Sequence, residues 1–105
     1  MRCLAASPIA EIVAGTGVTV NSVLPGPTRS EGAVEFLSKV AAEHKTEMAA
    51  VEEEFLRTMR PSSVIRRFAE PDEVANLVVF LCGEGSSAIT GAALRADGGV
   101  VRSIA

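Results

Sequence analysis

Apolar residues recur at two different spacings along this chain, and the changes between them lay out its elements. Leu4, Ile9, Ile12 and Val13 repeat at helical spacing over residues 1–14, and Gly15 and Gly17 end that stretch. Pro8 conflicts with a helix interior, where proline costs roughly 3 kcal/mol. It suits the first position of a shorter helix capped by Ser7, the reading favoured here, which leaves residues 1–6 loose. Residues 18–24 turn extended: Val18, Val20 and Val23 favour a strand, and its apolar character suits one covered on both faces. Pro25 has no N–H for a ladder, so the strand is expected to stop at Leu24.

Helical spacing returns at residues 31–44 with Ala33, Val34, Leu37, Val40 and Ala41, capped by Ser30 and widened by Phe36. His44-Lys45-Thr46 breaks the pattern, and Thr46 is placed to cap a second helix with the stripe Met48, Val51, Phe55, Leu56 and Met59. The acidic run Glu52-Glu53-Glu54 reads as its wet face. Pro61-Ser62-Ser63 is a connector. Over 71–82, Pro71 opens a helix with Asp72 and Glu73 near its positive end. Val74, Ala75, Leu77, Val78, Phe80 and Leu81 spread over more than one face, so this helix needs cover from its own sheet and from a second subunit. Gly83 ends it. Residues 86–91 form a turn, 92–96 a short strand, and 100–105 a tail within reach of a neighbouring subunit.

This order predicts α/β architecture. Two parallel strands are joined by one long right-handed crossover that carries the helices. That is part of a doubly wound parallel sheet, Rossmann-like but incomplete as a domain. The chain has 105 residues, room for one small domain. Its formal charge is −3, with no basic stripe, so a nucleic-acid partner has no support. Arg66-Arg67 reads as a solvated turn. No apolar run approaches the roughly 20 residues that cross a bilayer, and the N-terminus has no leader pattern, so a reducing cytoplasm is expected. Cys3 and Cys82 lack metal-ligand spacing and His44 has no companion, which argues against a zinc centre and makes the thiols small packed hydrophobes.

The stretch with chemistry runs from Pro25 to Ser30. A strand ends, Gly26 allows close approach of a ligand, Thr28 and Ser30 offer hydroxyls, and a helix start follows with unpaired N–H groups. Strand ends that open onto helix starts are where α/β proteins hold ligands. Asn21 reads as a structural hydrogen-bonding residue, and Asp97-Gly98-Gly99 as a strand-end turn.

Asn21, Val23, Pro25, Gly26 and Thr28 fit Asn-x-Val-x-Pro-Gly-x-Thr. With Arg67 to Ala75, Phe80 to Gly83, Ser86 to Gly91 and Asp97 to Gly99 following in order, the chain resembles the short-chain dehydrogenase/reductase family, near its 3-oxoacyl reductase branch. The resemblance covers most of the chain and fits that family's C-terminal portion. It implies that Pro25, Gly26, Thr28 and Ser30 contact the nicotinamide end and pyrophosphate of NAD or NADP. It also implies that 1–14 is the end of the catalytic helix and that 31–60 caps the substrate. The family's Gly-x-x-x-Gly-x-Gly and Tyr-x-x-x-Lys motifs are absent, and the chain has no tyrosine. The resemblance therefore assigns no catalytic residue here and implies a partner N-terminal half.

Two expectations follow. In one, the chain is part of an NAD(P)-dependent oxidoreductase for an alcohol/carbonyl pair, inactive alone. In the other, it is a non-enzymatic module that self-associates through 71–82 and 92–96 or joins related subunits.

Overall fold

The computed structural model describes residues 6–103. Its elements, in order, are α1 (Ala6–Ile12), β1 (Ser22–Pro25), α2 (Glu31–Glu43), α3 (Met48–Met59), α4 (Pro71–Cys82), a 3-10 turn (Glu84–Ser86) and β2 (Ala93–Ala96). The strands pair in parallel, Ser22 opposite Ala93 and Pro25 opposite Ala96. This α/β pattern is the one expected. The described residues form two compact units, one of 6–25 with 72–96, the other of 26–71 with 97–103.

In the first unit, α1 already includes Ala6, so Ser7 is inside the helix rather than its cap. Pro8 therefore sits in the first turn, where a missing N–H costs no intrahelical bond. The Ser7 hydroxyl donates instead to the Gly91 carbonyl, at 3.5 Å. Gly15 and Gly17, at φ 78° and 81°, follow the helix. Residues 1–5, including Cys3, lie outside the described residues.

β1 is shorter at its start than 18–24. Its partner becomes regular only at Ala93, after Gly91 at φ 71°. Upstream, side chains supplement one backbone bond, Gly91 N–H to the Val20 carbonyl at 2.7 Å. Val20 N–H donates to Thr90 Oγ1 (3.1 Å), Asn21 Nδ2 to the Ile89 carbonyl (2.9 Å), and Ala92 N–H to Asn21 Oδ1 (3.1 Å). Asn21 thus has the structural role expected of it.

At the other end, Pro25 belongs to the strand. Ser22 N–H donates to the Ala92 carbonyl, and alternate residues of a strand direct their N–H to opposite edges. Pro25 therefore faces away from β2, where it costs no ladder bond. β2 begins one residue later than expected. α4 ends before Gly83, and none of its residues is buried. Val74, Leu77 and Leu81 are half-buried, whereas Val78, Val79 and Phe80 are exposed. Cys82 is exposed too, not packed.

The second unit is built on α2 and α3. Ser30 caps α2 by accepting from Ala33 N–H at 3.3 Å. The helix ends with Lys45 at φ 51°, Lys45 N–H donating to the Ala42 carbonyl and Thr46 N–H to Ala41. This is the paired closure of a Schellman motif, made here by lysine in place of glycine. Thr46 is consumed by that closure, so α3 starts later, with Glu47 at its cap and no side-chain cap bond.

Leu37, Leu56 and Phe68 form the core, with Ala33, Met48, Val51 and Phe55 against them. Phe55 and Phe68 meet edge to face at 5.5 Å. Phe36 and Met59 do not join: both are exposed. After β2, Asp97 accepts from Gly99 N–H through Oδ1 and from Val101 N–H through Oδ2, which makes the expected turn. Ser62 Oγ donates to the Val100 carbonyl, so the segment after the turn folds onto its own unit. Residues 104–105 lie outside the described residues.

Candidate functional site

Pro25 closes β1 in the first unit. Gly26, Thr28 and Ser30 follow on one short loop of the second. At Gly26, a Cβ would lie 2.7 Å from the Cα of Asp97 and 2.9 Å from its carbonyl oxygen. The space that glycine leaves is occupied by the chain's own backbone, not held open for a ligand as the sequence suggested. Thr28 Oγ1 donates to the Gly26 carbonyl at 2.8 Å. Its proton is thereby committed, and its lone pairs are what it offers to a ligand. Ser30 is the converse case: its oxygen accepts from Ala33 N–H, and its O–H can still donate. Behind it, the N–H groups of Glu31 and Gly32 have no acceptor within the helix.

The loop is held from below. Ala69 N–H donates to the Pro27 carbonyl (2.8 Å), and Arg29 N–H to the Ala69 carbonyl (2.7 Å). Thr28 and Ala69 thus form an isolated parallel bridge. The Arg29 side chain adds a second attachment. Its Nη2 donates to both carboxylate oxygens of Glu52, at 2.7 and 3.0 Å, and its Nη1 to Glu70 at 2.6 Å. The Glu52 hydrogen bond, then its charge, raises the Arg29 pKa above the ordinary guanidinium value. Glu52 also accepts from Phe68 N–H at 2.8 Å.

The sequence reading placed Glu52 on the wet face of α3 and passed over Arg29. A signal was there: Glu52 is four residues from both Met48 and Leu56, inside the apolar stripe rather than opposite it. An acid in that position needs a partner. Among the described residues, no cluster of three or more His, Cys, Asp or Glu could hold a metal ion, and no helix is long and apolar enough to cross a membrane.

A parallel strand pair joined through helices is part of a doubly wound α/β sheet. The sequence model described as enoyl-(acyl carrier protein) reductase matches residues 5–101. The chain belongs to the short-chain dehydrogenase/reductase family. It is 46% identical over 96 residues to the uncharacterized oxidoreductase YvaG of Bacillus subtilis (strain 168), covering 91% of this chain and 36% of that protein. It is 36% identical to the 3-oxoacyl-[acyl-carrier-protein] reductase FabG of Aquifex aeolicus (strain VF5), covering 88% and 31%. The crystal structure of YwfH, an NADPH-dependent reductase involved in bacilysin biosynthesis, superposes with a TM-score of 0.74 at 30% identity, over 95% of this chain and 36% of that one. L-sorbose reductase from Gluconobacter frateurii, solved with NADPH and L-sorbose, shares the fold at a TM-score of 0.82 and 24% identity, over 94% and 36%. The chain thus spans about a third of the length of the relatives it matches.

Proposed function

We propose that this chain supplies the nicotinamide and pyrophosphate loop of an NAD(P)-dependent oxidoreductase that acts on an alcohol/carbonyl pair, and that it has no activity alone. The observation that carries this reading is the closed loop over Pro25, Gly26, Thr28 and Ser30, in a member of this family. The groups it presents fit the cofactor. Ser30 O–H and the first N–H groups of α2 are donors for pyrophosphate oxygens. Thr28 Oγ1, its proton already given to Gly26, is an acceptor for a carboxamide N–H. When bound, the cofactor supplies the hydride. This chain's residues bind and orient it: Pro25 ends the strand, and Arg29 with Ala69 fixes the loop. The helices α2 and α3 would cap the substrate. The acid that protonates the developing alkoxide would be the tyrosine of the family's Tyr-x-x-x-Lys motif, supplied from outside this chain, which contains no tyrosine. We place the protein in the cytoplasm, the compartment expected from the sequence, where the free thiol of the exposed Cys82 would stay reduced.

The test is a chimera in which residues 5–101 replace the matching segment of YvaG. It should bind NADH or NADPH, read by nicotinamide fluorescence, and reduce a carbonyl substrate that YvaG itself accepts. Thr28→Val and Ser30→Ala should weaken cofactor binding, while the 105-residue chain alone should bind neither nucleotide. A folded chimera without cofactor affinity would overturn the reading.

A second reading, a non-enzymatic pairing module, is favoured by α4. Val79 is 69% exposed and Phe80 49% exposed on a helix with no buried residue. Association through 71–82 and 92–96 with a second copy or a related subunit would cover them. Val79→Asp should then abolish a dimer seen by sedimentation. A chain that stays monomeric at high concentration, with or without that change, would exclude the self-association form of this reading.

A further inference from the structure

Beyond the end of α3, within the second unit, lies a cleft of about 400 Å³. That is within the ordinary range for small-ligand sites. Arg57, Arg60 and Arg66 line it, with Glu53, Leu56 and Ser63. Three arginines and one glutamate thus line it, on a chain whose formal charge is −3. Arg57 is partly neutralised by Glu54, which it engages with Nη2 and Nε. Neither Arg60 nor Arg66 takes part in an ion pair among the described residues.

The bland reading is that these arginines serve the negative end of α3. It accounts for Arg57 in the last turn and for Arg60, whose Nη1 donates to the Met59 carbonyl. It does not account for Arg66. That residue lies off the helix at φ 52°, a conformation that an L side chain resists. Glycine would be unstrained there. A long cationic side chain at such a position calls for a use.

The surroundings hold Arg66 there. Ser63, buried at 8% exposure, accepts from Arg66 N–H at 3.0 Å. Val64 and Ile65 N–H both donate to the Gly98 carbonyl. A Cβ on Gly98 would fall 2.5 Å from Ile65, and one on Gly99 2.6 Å from Val64. The loop from Arg60 to Arg66 is therefore clamped to the turn after β2, and it brings two arginines to one cleft, neither paired with a carboxylate among the described residues.

We propose that this cleft is an anion site that takes a phosphate group, with Arg66 as its principal donor and Arg60 beside it. Guanidinium forks match phosphate oxygens in pairs, which suits this donor set better than a carboxamide or a sugar hydroxyl. The phosphate could be that of a free metabolite or of a larger thiol carrier, and the two can be told apart. None of these residues lies in the loop 25–30, so the proposal stands or falls apart from the nicotinamide reading.

The test is a titration of the 15N-labelled 105-residue chain, following the arginine Nε–H resonances. One arm uses inorganic phosphate and the other coenzyme A. Saturable shifts at Arg60 and Arg66, weakened by added salt, are expected. Tighter binding of coenzyme A would identify the carrier, and equal affinity a free phosphate. Arg66→Gly should weaken binding about tenfold, equivalent to about 1.4 kcal/mol. Because it relieves the positive φ, it should also melt at or above the temperature of the parent. Arg60→Gln, off the strained position, should weaken binding as well. Shifts that never saturate, affinity unchanged in both variants, or a destabilised Arg66→Gly would each overturn the proposal.

Discussion

Removing the Glu52 carboxylate separates two contributions that one side chain makes together. It pairs with Arg29 and accepts from Phe68 N–H, and its side chain is only 13% exposed. The ion pair is the weaker part. The Arg29 side chain is 37% exposed and keeps Glu70, so near-surface screening limits the pair to about 1 kcal/mol or less. The Phe68 amide belongs to a residue with 5% exposure, and stranding such a donor costs about 1–3 kcal/mol. Glu52→Gln keeps an oxygen that can turn to Phe68, so it should cost about 1 kcal/mol. Glu52→Ala should cost about 2–4 kcal/mol, and Arg29→Met less, about 1–2 kcal/mol, because it leaves the carboxylate the Phe68 amide as a partner.

Without tryptophan or tyrosine, unfolding is best followed by far-UV circular dichroism, where each kcal/mol lowers Tm by about 4–8 °C in a chain of this size. Hydrogen exchange at the Phe68 amide should quicken in Glu52→Ala and hardly change in Arg29→Met. Equal losses for Glu52→Ala and Arg29→Met would refute the reasoning, because the ion pair would then carry the effect. The pH dependence has a definite sign. A group with a folded pKa raised above its unfolded value contributes fully below the unfolded value and loses that contribution only as pH rises through the folded one. For Arg29 that window lies above the ordinary guanidinium range, so its pairing should add no slope to stability between about pH 6 and about pH 9.

Leu37, 1% exposed at the centre of the core, should lose about 2–5 kcal/mol on change to Ala, measured by urea unfolding; a loss under about 1 kcal/mol would mean that the core collapses around the cavity. Gly26→Ala forces a methyl against the Asp97 backbone and should cost about 1–3 kcal/mol by thermal melting, whereas an unchanged Tm would show that the approach opens easily. Lys45→Gly relieves the other positive φ and should raise stability by up to about 1 kcal/mol; a loss would mean that the lysine side chain itself holds the end of α2.

What could be read from the sequence was what depends on local spacing. The stripe through Ala33, Leu37 and Ala41, the Ser30 cap and the stop at Cys82 follow from residues within a turn or two of each other, and they form as expected. Features set by distant partners were misjudged. Whether Pro25 ends β1 depends on which edge faces β2, and 18–24 lost its first residues because the partner strand begins late. Phe68 completes the core only because the chain returns to α2 and α3, and nothing in its neighbours announced it. Thr46 failed as a cap because Lys45 took a left-handed conformation that the sequence assigns to glycine. Of the candidate site, the hydroxyls were legible. Their proton assignments were not, because Thr28 gives its hydrogen to Gly26 and Ser30 uses its oxygen on Ala33.

Gly26 shows why a motif glycine does not by itself establish ligand contact. Its side-chain volume is forbidden by Asp97 at 2.7 Å, so the position would demand glycine even if nothing ever bound nearby. The same close approach sets the path of the loop, and Arg29 with Ala69 holds the far side. Under the proposed function, recognition would fall to groups whose hydrogen-bonding capacity the loop does not spend: the Ser30 hydroxyl proton, the Thr28 lone pairs and the first amides of α2. Substitutions at Gly26 and at Ser30 should therefore fail differently in the chimera. Gly26→Ala should reduce cofactor affinity and stability together, since it moves the loop. Ser30→Ala removes a donor and a cap, and a cap is worth about 1 kcal/mol, so its affinity loss should exceed what the measured stability loss explains. If the two variants lost affinity in the same proportion to stability, the Ser30 hydroxyl would be a cap and nothing more.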